Sequence, residues 1–395
     1  MAVLTNKAIW DIAVKGSENF STLASKYSYD EFKNSILTGR TATEIKEGAN
    51  ELIGTAITWY LKEVVSVKAK DYLADKGIGL KINMPFGGYC QMLYAHPRKP
   101  VDPKWVGLKD GDSVDQQVIT IEKVDEKFYG KNVDYSNTVT IFDIQLRDAF
   151  RTENGLGMLI GAKMANLEAE YIEFMLALKE EAINAAINST DKPLNANQLV
   201  EVQLSDVPTI DEHKKFISTV NNIIDGMTIK ATKAYNRAGW RTVQDPNKLC
   251  LLTRPTFAND LSAFTLSTLY NPENLAINTE VIKVQNFGGL VATEQGGTPL
   301  KTVYDNLGRV EGYAKQSAPE VIINESDIIW EDPNDDVIAV LCDKDFLVEV
   351  ETEPYNVLAA PYNARGRYQT YWASKAGIGI NIDIHKNFVV FKKAK

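Results

Sequence analysis

Nowhere in its 395 residues does the chain contain a run of 18 uncharged apolar residues, and its first stretch, Met1 to Lys7, has no basic segment leading into an apolar one. A membrane-spanning helix and a secretory signal are therefore not expected, and folding in the cytoplasm is. Cysteine is scarce: Cys90, Cys250 and Cys342 are odd in number, far apart and without CxxC spacing. They suit neither a disulfide framework nor a zinc site, and three buried, reduced thiols are expected. Histidine is equally scarce. His96, His213 and His385 stand at no metal-ligand spacing, and His213 lacks the second histidine a HExxH motif needs, so each reads as a surface or internally satisfied side chain. Positive charge is also in deficit, with 43 Lys and Arg against 52 Asp and Glu for a net charge of −9. That balance argues against tight binding to nucleic acid through many phosphate contacts.

Catalytic signatures are missing too. No phosphate-binding loop, GxSxG elbow or EF-hand occurs. The glycines Gly155, Gly157 and Gly161 imitate a dinucleotide fingerprint, but three residues precede the last one and no strand pattern leads into it, so a closely packed helix break is the reading. The acidic cluster Glu331 to Asp336 has oxygen donors for calcium yet reads as a solvated loop. No catalytic residue, metal or cofactor is expected.

What is present is enough apolar sequence, 44%, to give two or three folding units their cores. Residues 1–76 read as an N-terminal helical arm, in which Ile45, Leu52, Ile53, Ala56, Trp59, Tyr60, Val64 and Val67 recur at three- and four-residue steps. Residues 77–141 change to alternation and read as an extended two-stranded loop. Val118, Thr120, Glu122 and Val124 alternate with Gln117, Ile119, Ile121 and Lys123, which leaves apolar residues on both faces. Such a ribbon is marginal alone and needs something to lie on. The expected partner is another subunit; a hairpin packed on its own domain is the alternative.

Residues 142–197 read as a spine-helix region, with Met164, Leu167, Tyr171, Phe174 and Leu178 on one face. Glu168, Glu170, Glu173, Lys179, Glu180 and Glu181 fill much of the other. About 30 residues at ~1.5 Å each make a rod on the order of 45 Å, long enough to span a domain. Residues 198–330 alternate helix and strand. Thr209 and Glu212 form a capping box opening a helix with the stripe Phe216, Ile217, Val220, Ile223, Ile224 and Met227, expected to stop near Gly226. Lys248 to Thr253 reads as a buried strand, Pro255 opens a helix, and Val281 to Phe287 reads as a further strand. Residues 331–395 carry three more apolar strand patterns, an Asp343-Lys344-Asp345 turn and the loop Arg365-Gly366-Arg367-Tyr368. The fold class expected is α+β.

This order of elements resembles the major capsid proteins of tailed bacteriophages, which share the Hong Kong ninety-seven type fold, and most of all those of small short-tailed phi-twenty-nine-like podoviruses. Ala339 to Phe346 followed by Asn363 to Tyr368 is similar to the segment that returns into their peripheral domain. Leu146 to Phe150 with Asn166 to Met175 is similar to their spine-helix region, and Thr253 to Leu261 to the strand-to-helix turn of their axial domain. The resemblance implies a structural major capsid protein that self-assembles into pentamers and hexamers. These would form the icosahedral shell of a virion around double-stranded DNA, assembled in the bacterial host cytoplasm. It implies an axial domain over 198–330 with the loops Gly288-Gly289 and Gln295 to Thr298 near the ring centre, and return strands of the peripheral domain over 331–395. The prototype's Lys-to-Asn crosslink falls on no particular pair here, so a non-covalent shell is expected.

On this reading Phe86, Tyr89, Leu93, Tyr94 and Trp105 are the inter-subunit anchors of the loop, Arg98, Lys99 and Lys104 its charged rim, and Arg365 and Arg367 bind carboxylates on a neighbour. The partners are other copies, a separate scaffolding protein, a portal, head fibre proteins and, by loose contact, genomic DNA; no membrane is involved. The competing readings are an encapsulin-like cellular compartment shell of the same fold, a soluble α+β enzyme, and another virion protein such as a portal.

Overall fold

The computed structural model describes residues 5–38, 43–64, 71–84, 89–95, 124–131, 133–190, 192–205, 208–267, 277–284, 287, 291–294, 298–304, 310–315, 318–322, 328–331, 334–351, 356–363 and 365–394. Its helices are α1 (Asn6–Gly16), α2 (Glu18–Lys26), α3 (Tyr29–Thr38), α4 (Thr43–Val64), α5 (Tyr72–Asp75), α6 (Asp143–Arg151), α7 (Gly155–Asn188), α8 (Ile210–Thr228) and α9 (Pro255–Ser267). The strands are β1 (Leu80–Asn83), β2 (Tyr89–Ala95), β3 (Val124–Gly130), β4 (Val133–Phe142), β5 (Leu199–Val202), β6 (Leu249–Thr253), β7 (Glu280–Lys283), β8 (Val291–Glu294), β9 (Thr298–Tyr304), β10 (Val310–Lys315), β11 (Ala318–Ile322), β12 (Ile328–Glu331), β13 (Val337–Asp343), β14 (Leu347–Glu351), β15 (Asn356–Ala359), β16 (Tyr368–Ile382) and β17 (Phe388–Lys393).

All seven residues of β13 are buried, as are all five of β6 and the first four of β17. These continuous apolar runs form the middle of a mixed sheet ordered β5-β17-β13-β6-β7, a pattern that requires cover on both faces. Alternate residues divide between the two covers. Cys250, Leu252, Val340, Cys342, Phe388 and Val390 pack with Ile183, Ala186 and Ile187 of α7, whereas Leu249, Leu251, Leu341, Val389 and Phe391 pack with Phe216, Val220 and Ile224 of α8 and Phe257 of α9. The division expected after residue 330 is therefore not a division in space. β13 and β17, read from the sequence as peripheral return strands, complete the sheet of residues 199–283, because their two apolar faces need helices on both sides.

A second sheet, β1-β14-β16-β15 with β4 along the other edge of β16, receives the chain at Lys344 to Phe346 and returns it at Asp383 to Asn387. Helices α1 to α4 pack with α6, the first half of α7 and the outer part of this sheet around Trp10, Phe20, Phe32 and Phe150. The helical arm thus folds onto the body. Helix α7, 34 residues and ~51 Å long, contributes Leu156, Ile160, Met164 and Leu167 to that core and Met175, Ile183 and Ile187 to the next, so one rod ties two cores together.

The break before α7 has a steric cause. A Cβ at Gly155 would lie 2.2 Å from the Ala149 carbonyl oxygen, and buried Asn6 satisfies the chain ends there, donating to Thr152 and accepting from the Leu156 amide. The capping box of Thr209 and Glu212 opens α8, but the helix runs past Gly226, across which Tyr235 packs. One charge is misplaced by periodicity. Lys179, expected on the polar face of α7, is 1% exposed and forms ion pairs with Asp71 and Glu349. Cys250 and Cys342, 92 residues apart, lie side by side across β6 and β13 with sulfurs 3.6 Å apart; both are buried, while Cys90 is half-buried. The acidic loop has internal cations, Asp335 pairing with Arg254 and Asp336 with Lys392.

Candidate inter-subunit surface

Strands β2 and β3 form a two-stranded ribbon in antiparallel register from Tyr89 opposite Gly130 to Ala95 opposite Val124. Facing residues of such a pair share a side, so the register divides the side chains cleanly. Cys90, Met92 and Tyr129 turn inward and pack on Val348 and Val350 of β14 with Ile82 and Met84. Tyr89, Leu93, Val124 and Phe128 turn outward, at 70%, 66%, 58% and 59% exposure. The ribbon is narrower in sequence than the alternation over 77–141 suggests: β1 and β4, on either side of it, belong to the second sheet. At its base a Cβ on Gly379 would meet the Gly130 carbonyl oxygen at 2.1 Å, and Asn381 donates to that oxygen at 3.0 Å.

The expectation of two unpartnered faces is corrected for the described part: one face is buried on the chain's own body. Tyr94 goes with it. Its hydroxyl donates to Asp383 at 2.7 Å and its ring stacks on His385 at 3.9 Å, so this half-buried side chain anchors the ribbon internally. Burial beside Asp383 also pushes its phenol well above the ordinary range. Tyr89 and Leu93 sit on the free face. Phe86, Arg98, Lys99, Lys104 and Trp105 lie outside the described residues, as do Gly288-Gly289 and Gln295 to Gly297. Phe128, absent from the candidates, is the main addition; the sequence Val124 to Gly130, with three charged residues followed by two aromatics, carries no alternation that would have found it.

Arg365 and Arg367 are brought together on an exposed turn between Asn363 and Tyr368. The turn is held by the Asn363 side chain, which accepts from the Gly366 amide at 2.9 Å and donates to the Tyr368 hydroxyl at 2.9 Å. Arg367 has φ +52°, and its carbonyl accepts from the Asp143 amide, which seats the turn on the start of α6. Near it, Phe142, Ile144 and Leu358 are 46%, 70% and 62% exposed around the first half of β16. Among the described residues no group of three or more His, Cys, Asp or Glu is arranged to hold a metal ion.

A family model described as Phi29-like phage major capsid protein matches residues 81–392. No curated protein matches the chain. Among solved structures, the capsid structure of Staphylococcus phage Andhra is similar at 12% identity and a TM-score of 0.51, over 78% of this chain and 81% of that one. A chain in the structure of the head fiber and inner core protein gp22 of native bacteriophage P68 is similar at 12% identity and a TM-score of 0.51, over 82% and 84%. At that identity the likeness is one of fold, the Hong Kong ninety-seven type.

Proposed function

The chain belongs to the Phi29-like phage major capsid proteins, and from that premise we propose that its ribbon joins neighbouring copies in the shell. It is a structural protein of the virion capsid, its partners are copies of itself, and its family is not one of enzymes. That membership leaves the cellular-compartment, enzyme and portal readings without support.

The proposal is carried by one observation. Tyr89, Leu93, Val124 and Phe128 expose four large apolar side chains, with Gln91 and Glu126 among them, on the outward face of a two-stranded sheet whose other face is already covered. An exposed apolar face of this kind suits a protein partner, with aromatic anchors at its centre. Phe86 and Trp105 extend the anchors, Arg98, Lys99 and Lys104 form the rim, and Arg365 and Arg367 meet carboxylates of an adjacent copy. Heterologous contacts of this type close into rings of five and six. Each is modest, and the shell holds because every copy makes several at once. We place residues 198–330 with β13 and β17 toward the ring axis, and the arm, ribbon and spine toward its periphery. A scaffolding protein, a portal and head fibre proteins complete the proposed partners, and genomic DNA meets this acidic chain loosely.

Electron microscopy of the chain expressed with its neighbouring genes tests this, with closed shells expected. The double variant Leu93→Ser/Phe128→Ser, and separately a deletion of residues 99–111, are expected to leave soluble, folded subunits that form no shells. Normal shells from either variant would mean the ribbon is not the contact.

A further inference from the structure

Between β16 and β17 the turn at residues 383–387 holds a cluster of ionisable and aromatic groups. Asp383 is 3% and His385 5% exposed. His385 places Nε2 3.0 Å from Asp125 Oδ2 and Nδ1 3.3 Å from Asp383 Oδ1. Tyr94 stacks on the imidazole with 11° between planes, and Trp240 meets the same ring edge-on at 5.2 Å. Lys127 donates to the Ile382 carbonyl at 2.7 Å. Tyr94, Asp125 and Lys127 all belong to the ribbon, so each of these bonds ties it to one short corner of the body.

That corner is also where the chain crosses between the two sheets. The Asp383 amide donates to the Phe346 carbonyl at 2.8 Å, the Asp343 amide to the Asn387 carbonyl at 3.1 Å, and the Asn387 amide to the Asp343 carboxylate at 2.9 Å. Both crossings and the ribbon base are thereby fixed to each other.

We propose that the 382–387 corner is a proton-dependent latch that sets the pitch of the ribbon on the body, and hence the angle at which its outer face meets the next copy. The last clause rests on the reading of that face as the inter-subunit contact. The chemistry is that both ring nitrogens of His385 face carboxylate oxygens, which only accept. Both contacts are hydrogen bonds when the ring carries two N–H groups; a neutral ring turns one lone pair toward a carboxylate. The carboxylates stay ionised through mild acid. The bond from His385 holds Asp125 below the usual range, and at Asp383 the bonds from His385 and Tyr94 outweigh the opposing effect of burial. Also facing the cluster are Tyr129, 3.1 Å from the Tyr94 hydroxyl, Lys192 and Lys127 near Asp125, Lys386 paired with Asp345, and Arg237, whose amide donates to the Ile384 carbonyl. The latch is closed when both ring nitrogens carry a proton and loosens when one is lost.

Hydrogen exchange read by mass spectrometry on the full-length subunit before assembly tests this, comparing amides of β2 and β3 with those of β13. After correction for intrinsic exchange, ribbon opening is expected to be roughly tenfold more frequent at about pH 9 than at about pH 6, the worth of one bond to a charged group, with β13 unchanged. His385→Gln should open the ribbon equally at both pH values. If that variant also loosens β13, Asp125→Asn decides, since Asp125 is half exposed and lies on the ribbon itself. Ribbon protection that is the same in wild type and Asp125→Asn at both pH values overturns the latch. A loosened ribbon in His385→Gln with normal shell assembly keeps the latch and removes the contact reading. Flat ribbon protection, with shells lost in Leu93→Ser/Phe128→Ser, does the reverse.

Discussion

The central sheet and the ribbon are both made of strands, yet the first is covered on two faces and the second on one. In β13 every apolar side chain belongs to a core shared with a helix, either α7 or α8 and α9. In β2 alternate side chains meet the body and the others, Tyr89 and Leu93 among them, stay exposed. The contrast separates residues that make the subunit fold from residues proposed to make it assemble.

The sharpest test of the contrast is Phe391→Ala. Phe391 is fully buried against Phe216 at 5.4 Å, and its loss should cost the subunit about 3–5 kcal/mol, read as a lowered urea midpoint. Lys179→Met comes next. It removes the buried cation shared by Asp71 and Glu349 and leaves Glu349 only the exposed Lys81, 3.4 Å away, a loss of up to about 3 kcal/mol by the same measurement, because a half-paired buried carboxylate outweighs the gain from an apolar side chain.

Asp343 gives a smaller effect of opposite sign. Burial pushes its carboxyl up to about 6, against the bond it accepts from Asn387. The folded state then binds this proton more tightly than the unfolded state. Stability from this group is intact below the ordinary carboxylate value and is lost as pH rises from about 4 to about 6, by up to ~3 kcal/mol. Asp343→Asn should recover about 1–2 kcal/mol near neutral pH and flatten that part of the stability–pH profile. The least effect on folding is expected from Leu93→Ser/Phe128→Ser, within about 0.5 kcal/mol, although this is the variant predicted to abolish shells. A double variant that unfolds the subunit would erase the distinction between the two regions.

Much of the folding side of this contrast was legible. The stripes of α7 and α8, the capping box at Thr209, the helix opened by Pro255 and the break at Gly155 follow from spacing and local sterics, which act within a turn or two of chain. The assembly side was read less well. Tyr94 and Leu93 are neighbours in one apolar segment, and which of them faces the body depends on register against β3 and on Asp383 and His385, some 290 residues away in the chain. Lys179 followed the polar periodicity of its helix but met Asp71 and Glu349, which satisfy its charge inside.

By itself, then, the sequence determined where helices start and which segments must be buried on both faces. Side-chain periodicity and capping are properties of a few consecutive residues. Tertiary structure alone decided that β13 and β17 join β5 and β6 in one sheet, that Cys250 lies beside Cys342, and that the ribbon keeps one face free. Each of these depends on which distant strand supplies the hydrogen bonds and which surface is left once the cores are filled, and no local pattern encodes that choice.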